Sequence, residues 1–139
     1  MPGLTIDLLA AGQSASFTKT ISESDVYIFA GVTGDFNAAH VNEEYAKQTR
    51  FGRRVAHGML TAGFISAVLG AQLPGPGTIY MGQDLEFLAP AYIGDTVTAM
   101  VTVESIDREK NRITLDTVCT NQEGKVLLRG KAVVRPPLR

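Results

Sequence analysis

Tryptophan is missing from this chain, and cysteine occurs once. No stretch reaches the roughly 20 apolar residues that a membrane-spanning helix needs. Each shortage excludes something. Cys119 cannot close an internal disulfide, and no CxxC pair is present to hold a metal. It lies among alternating residues near Thr117 and Thr120 and reads as a small buried strand residue. Charge is also sparse, at 19% of residues, with 13 basic and 14 acidic side chains and a net charge of −1. No basic tail or cluster appears, so nucleic acid is not an expected partner. The opening MPGLTIDLLA lacks the basic and apolar regions of a signal peptide, which points to the cytoplasm. The 139 residues suit one domain, 1–139, with one sizeable core.

The most apolar segment is GMLTAGFISAVLGAQL, residues 58 to 73. It is too short and too rich in glycine and small polar residues to cross a membrane. A helix apolar on nearly every side must be surrounded by protein. Upstream, residues 15 to 20 alternate like a short strand. Ser22 and Asp25 have the spacing of a capping box for a helix over residues 23 to 32, with Val26, Ile28, Phe29 and Val32 on its apolar side and Gly34 ending it. Asn42 can cap a second short helix through Lys47. Residues 51 to 58 read as a loop, and LPGPG at 73 to 77 stops the apolar helix. The period then changes to two, which predicts strands over 77–88, 96–107, 112–120 and 126–134 joined by tight turns. Short connections imply antiparallel neighbours. The only large apolar partner for such a sheet is the helix from Gly58. The expected architecture is therefore α+β, a curved antiparallel sheet wrapped around a long central helix.

The stretch GVTGDFNAAH, residues 31 to 40, carries the chemistry. Asp35 and His40 sit five residues apart in a turn-rich segment. They are either polar loop decoration or an acid–base pair. FAGVTGDFNAAH at 29–40, VAHGML at 55–60, LPGPGTIYMGQDLEFLAP at 73–90 and YIGDTV at 92–97 together resemble the hot-dog fold of the MaoC-like dehydratases, and most closely the (R)-specific enoyl-CoA hydratases. Phe29, Gly34, Asp35, Asn37 and His40 fill the family's pattern around the active site. The family commonly has proline after the asparagine and a branched aliphatic before the histidine, where this chain has Ala38 and Ala39. Losing proline releases a fixed φ, so a looser turn is expected.

The resemblance implies reversible syn hydration of a trans-2-enoyl-CoA to an (R)-3-hydroxyacyl-CoA. Asp35 and His40 would hold the water, and the backbone N–H of Gly58, at the positive end of the long helix, would meet the thioester oxygen. Ser66, about two turns further on, would either face the catalytic centre or bond the carbonyl four residues back. Asn37 would fix the turn through its side chain. No metal or redox cofactor is implied, since CoA is part of the substrate. A two-fold homodimer is implied, with sites at the interface. His57 reads as a structural residue. Arg50, Arg53 and Arg54 read as a solvated loop, with anchoring of CoA phosphates as the alternative. Leu69 and its helix neighbours read as core first and acyl-pocket lining second. The competing activities are a hot-dog acyl-CoA thioesterase and a non-catalytic acyl-CoA-binding module. Supply of (R)-3-hydroxyacyl-CoA for polyester synthesis and fatty-acid breakdown both fit the first reading.

Overall fold

A computed structural model describes residues 2–139. After a short 3-10 turn, Ile6–Leu8, the chain forms β1 (Ser14–Thr20), α1 (Glu23–Thr33), α2 (Ala38–Val41), α3 (Glu43–Lys47) and α4 (Gly58–Ala71). It continues as β2 (Ile79–Gln83), β3 (Glu86–Phe87), β4 (Thr96–Asp107), β5 (Arg112–Thr120) and β6 (Val126–Arg135). The strands make one antiparallel sheet in the order β1-β4-β5-β6-β2, with β3 also paired to β6.

The period of two in β4 and β5 puts Val97, Ala99, Val101 and Val103, then Ile113, Leu115 and Cys119, on one buried face. Leu60, Ile65, Val68 and Leu69 of α4 meet that face in a single apolar core. This is the hot-dog arrangement, a sheet curled around one helix. At the start of α1 the capping box forms: Ser22 Oγ accepts from the Asp25 N–H, and the Asp25 carboxylate accepts from the Ser22 N–H. Gly34 ends the helix in the left-handed region, at φ 82°.

Three expectations need correction. The buried side of α1 is Val26 and Ala30, whereas Ile28 and Val32 face solvent. Val26 joins the common core and Phe29 packs against it, so only a narrow stripe of α1 is covered. The strand expected over 77–88 is broken into β2 and β3, with a register shift between Tyr80 and Gly82. The Asp84 carboxylate accepts from the Lys131 N–H, a bond a regular ladder would make with a backbone carbonyl. The Asp84 carbonyl crowds Gly130 so closely that a Cβ there would lie 1.9 Å away. Finally, α4 is not covered on every side within one chain. Met59, Gly63, Ser66, Ala67 and Gly70 remain exposed. Apart from Met59 these are small, so the face presents little apolar area.

Candidate active site

The turn after α1 is built from local side-chain bonds. Thr33 Oγ1 donates to the Phe29 carbonyl and accepts from the Asp35 N–H. The Asp35 carboxylate accepts from the Asn37 N–H at 3.2 Å, and Asn37 Oδ1 accepts from the Ala39 N–H at 3.0 Å. Asn37 is thus the N-cap of α2, a four-residue helix not foreseen from the sequence. Ala38 occupies its first position, where proline is well tolerated. The turn that was expected to be loose is held by the Asn37 cap.

α2 carries His40 back towards the loop that precedes α4. The Val55 N–H donates to the Ala39 carbonyl at 3.2 Å. His40 Nδ1 lies 2.7 Å from the Val55 carbonyl oxygen. A carbonyl only accepts, so Nδ1 carries the hydrogen and the neutral ring presents its lone pair at Nε2. That nitrogen has no partner among the described residues. A carboxylate oxygen of Asp35 and one ring nitrogen each from His40 and His57 all lie within 4.8 Å of one another. Asp35 is exposed and His40 half-buried, whereas His57 is only 2% exposed.

His57 is a structural residue of a particular kind. Its Nε2–H donates to the Asp35 backbone carbonyl at 2.9 Å. Its ring stacks on that of His40, with centroids 3.8 Å apart and planes inclined by 28°, and its other side meets Phe29 at 4.7 Å. Nδ1 of His57 is buried without a partner among the described residues, an arrangement that costs about 1–3 kcal/mol. The three-ring column explains why an aromatic residue at 29 belongs to the motif. It was not legible in the sequence, because His57 lies 17 residues beyond His40. One nitrogen of each ring is committed to a carbonyl oxygen, which leaves each imidazole a single nitrogen for any other partner.

Gly58 opens α4 directly after His57, so its N–H is among those left free at a helix start. A Cβ at this position would lie 2.6 Å from the Phe87 ring. The glycine therefore admits Phe87 in the first place. Asp35, His40, His57, Gly58, Met59 and Phe87 line a cavity of about 230 Å³. Met59 and Phe87 also border a second cavity of about 470 Å³, between the open face of α4 and β2, which includes Ser66 and Tyr80. Ser66 thus lines the cavity that adjoins the acid–imidazole pair across Met59 and Phe87. Its hydroxyl makes no bond to the preceding turn among the described residues. Leu69 is core, at 1% exposure. Cys119 is buried, its Sγ near the Thr61 carbonyl, and burial pushes its thiol up to about 12, so it is not a nucleophile near neutral pH.

The three arginines are not one group. Arg54 is tied to Glu23, Glu43 and the Tyr27 hydroxyl, and so clamps α1 to α3. Arg53 lies over the Tyr92 ring, 4.0 Å from its centroid. Arg50 borders a third cavity of about 300 Å³ that also reaches Gly58 and Phe87. Neither Arg50 nor Arg53 has a carboxylate partner among the described residues.

An acid and an imidazole gathered at the amino end of the helix inside a curled antiparallel sheet define a hot-dog protein with a dehydratase-type site. The family model described as "MaoC like domain" matches residues 9–124, and the chain belongs to that family. It is 61% identical over 128 residues to an (R)-specific enoyl-CoA hydratase of Rhodospirillum rubrum, covering 92% of this chain and 88% of that protein. It is 46% identical to a 3-hydroxybutyryl-CoA dehydratase of Methylorubrum extorquens, covering 93% and 82%. Among solved structures it superimposes on the R-hydratase PhaJ1 of Pseudomonas aeruginosa with a TM-score of 0.94 and 40% identity, covering 99% of this chain and 88% of that one.

Proposed function

We propose that this chain is an (R)-specific enoyl-CoA hydratase, adding water reversibly across the C2–C3 double bond of a trans-2-enoyl-CoA. The observation that carries the reading is the His40 ring. It is fixed through Nδ1–H to the Val55 carbonyl, with Nε2 free and the Asp35 carboxylate close by. The similarity to curated hydratases supports the same reaction.

Water is a poor nucleophile at neutral pH, and a positioned base is worth about 10²–10⁴-fold. Asp35 and His40 hold one water between them. Its oxygen bonds to C3 while a proton passes to the pair. As the C2–C3 π bond opens, charge moves to the thioester oxygen, which the Gly58 N–H and the positive end of α4 stabilise. The pair then delivers a proton to C2 on the face from which water came, so the addition is syn. No atom changes hands with any other reagent, and the reaction needs no metal or redox cofactor. Phe87, about half exposed, packs against Gly58 and lines the cavity that the carbonyl enters. The acyl chain runs into the cavity beside Ser66.

The functional unit is a two-fold homodimer. Supporting this, β2 is a free sheet edge carrying exposed Ile79, Tyr80 and Met81, beside the uncovered face of α4. No helix among the described residues is long and apolar enough to cross a membrane. A cytoplasmic setting suits a chain whose one cysteine is unpaired.

The decisive experiment follows loss of the conjugated enoyl-thioester absorbance with crotonyl-CoA and a longer homologue, with chiral analysis of the product. The expected product is (R)-3-hydroxyacyl-CoA, at a rate unaffected by a chelator. An (S) product would sink the proposal. Release of free CoA from a saturated acyl-CoA, read with a thiol reagent, would favour a thioesterase, and binding without turnover would favour a carrier module.

A further inference from the structure

We propose that His57 is a positioning residue for the Asp35–His40 pair: its Nε2–H holds the Asp35 loop to the start of α4 while its ring sets the plane of His40. The inference rests on the hydratase reading of that pair. His57 occupies the N-cap position of α4 yet makes no side-chain cap bond, so helix capping does not account for it. Nor does packing. A benzene ring beside Phe29 and His40 would keep the aromatic contacts and leave no buried nitrogen unpartnered, whereas the imidazole leaves Nδ1 without a partner among the described residues. What the imidazole adds over a benzene ring is the single bond from Nε2–H to the Asp35 carbonyl.

That bond joins two places that the reaction needs in register. Asp35 bears the carboxylate, and the residue after His57 is Gly58, whose N–H meets the developing oxyanion. The other hydrogen bonds of the exposed turn at 34–37 stay within it or run to its neighbours in sequence, Ala30 and Thr33 on one side and Ala39 and His40 on the other, and none reaches Gly58 among the described residues. The stacked ring constrains the second partner, since His40 is already pinned at Nδ1 and the stack fixes the rotation that remains. With one nitrogen bonded to protein and the other buried, His57 is left to act through its neighbours.

The test compares His57→Phe, which keeps the ring and removes the donor, with His57→Gln, which keeps an N–H at similar reach and removes the ring. Both are made in the full chain and assayed with crotonyl-CoA, with kcat and KM separated. Misplacement by about 1 Å can cost on the order of 10²-fold. His57→Phe should lose about that factor in kcat, with KM little changed and the melting temperature not lowered. His57→Gln should recover part of kcat although its melting temperature falls. Rate and stability then move in opposite directions across the pair, which a merely structural residue would not produce. A second readout needs no substrate: backbone amide resonances of residues 34–37 should shift in His57→Phe and return towards wild type in His57→Gln. Wild-type kcat in His57→Phe, rates that follow melting temperature in both variants, or unmoved loop resonances would overturn the proposal. Absence of turnover by the wild type would instead count against the hydratase reading, and the resonances would still decide whether His57 holds the loop.

Discussion

Strands β4, β5 and β6 and the segment from Phe29 to Gly58 are held by different forces. The strands bury a broad apolar face, interrupted by Thr117, on which Val97, Val101, Leu115 and Val134 are fully buried. The segment at the site buries little. It owes its shape to separate bonds, from Thr33 and Asn37 within the turn, from His40 to Val55 and from His57 to Asp35. Burial is additive and non-directional, so it sets how stable the fold is. A few directed bonds contribute modestly to stability but fix where groups point. Damage to the two regions should therefore appear in different measurements.

The largest expected effect lies in the sheet. Leu115→Ala removes a fully buried side chain facing α4 and should cost about 2–5 kcal/mol of unfolding free energy. Turnover per folded molecule should hold. Denaturant titration and rate measured on the same sample separate the two quantities. A large loss of specific rate would mean that the core and the site are not as independent as their contacts suggest.

The next effect belongs to the site and should be its mirror image. Asp35→Asn and His40→Ala should each lose at least about 10²-fold in kcat, equivalent to about 2.7 kcal/mol of transition-state stabilisation. Both residues are exposed or half-buried, so melting temperature should change little. Unchanged rates in both variants would remove the acid–imidazole pair from the mechanism.

The same contrast governs what could be read from the sequence. β4 and β5 were legible to the residue because their period of two is long, with clear turn residues at both ends. β2 and β3 were read as one strand, since neither the register shift between Tyr80 and Gly82 nor the break at Asp84 leaves a mark in the hydrophobic pattern. At the site, Asp35, Asn37 and His40 were legible as a local motif, and Gly58 as the start of an apolar helix. α2 escaped notice because four residues are too few for a period. The column of Phe29, His57 and His40 could not be read from spacing, since it depends on how the segment folds back on itself. The place of Ser66 in the neighbouring cavity depends on the rotation of α4, which a helix apolar on most sides does not reveal.

A smaller effect probes the junction of the two regions, where α1 leaves the sheet. Ser22→Ala removes one half of the capping box and should cost about 1 kcal/mol, with no change in kcat. Asp25, the other half, has its carboxyl held below its usual value first by Lys19 and then by the Ser22 N–H. A depressed folded-state value adds stability that is complete above the ordinary carboxylate range and is lost as the pH falls through that folded value. The stability gap between wild type and Asp25→Asn should therefore close in acid. A gap independent of pH would show that charge is not what Asp25 contributes.

The smallest effect runs the other way. Ala38 is the first residue of α2, and its N–H donates to no group among the described residues, so proline would forfeit no bond there. Asn37, with ψ at 130°, already has the extended conformation that a following proline demands. Ala38→Pro should therefore stabilise the protein by about 0.4–1 kcal/mol, chiefly by restricting the unfolded chain. Because the Asn37 cap already fixes the turn, kcat should not rise with it. A rise in kcat would mean that the turn bearing Asp35 moves in the wild type and that its motion limits turnover. A fall in stability would mean that the Ala38 N–H has a partner in solution, and that the bonds holding this region are more numerous than those described.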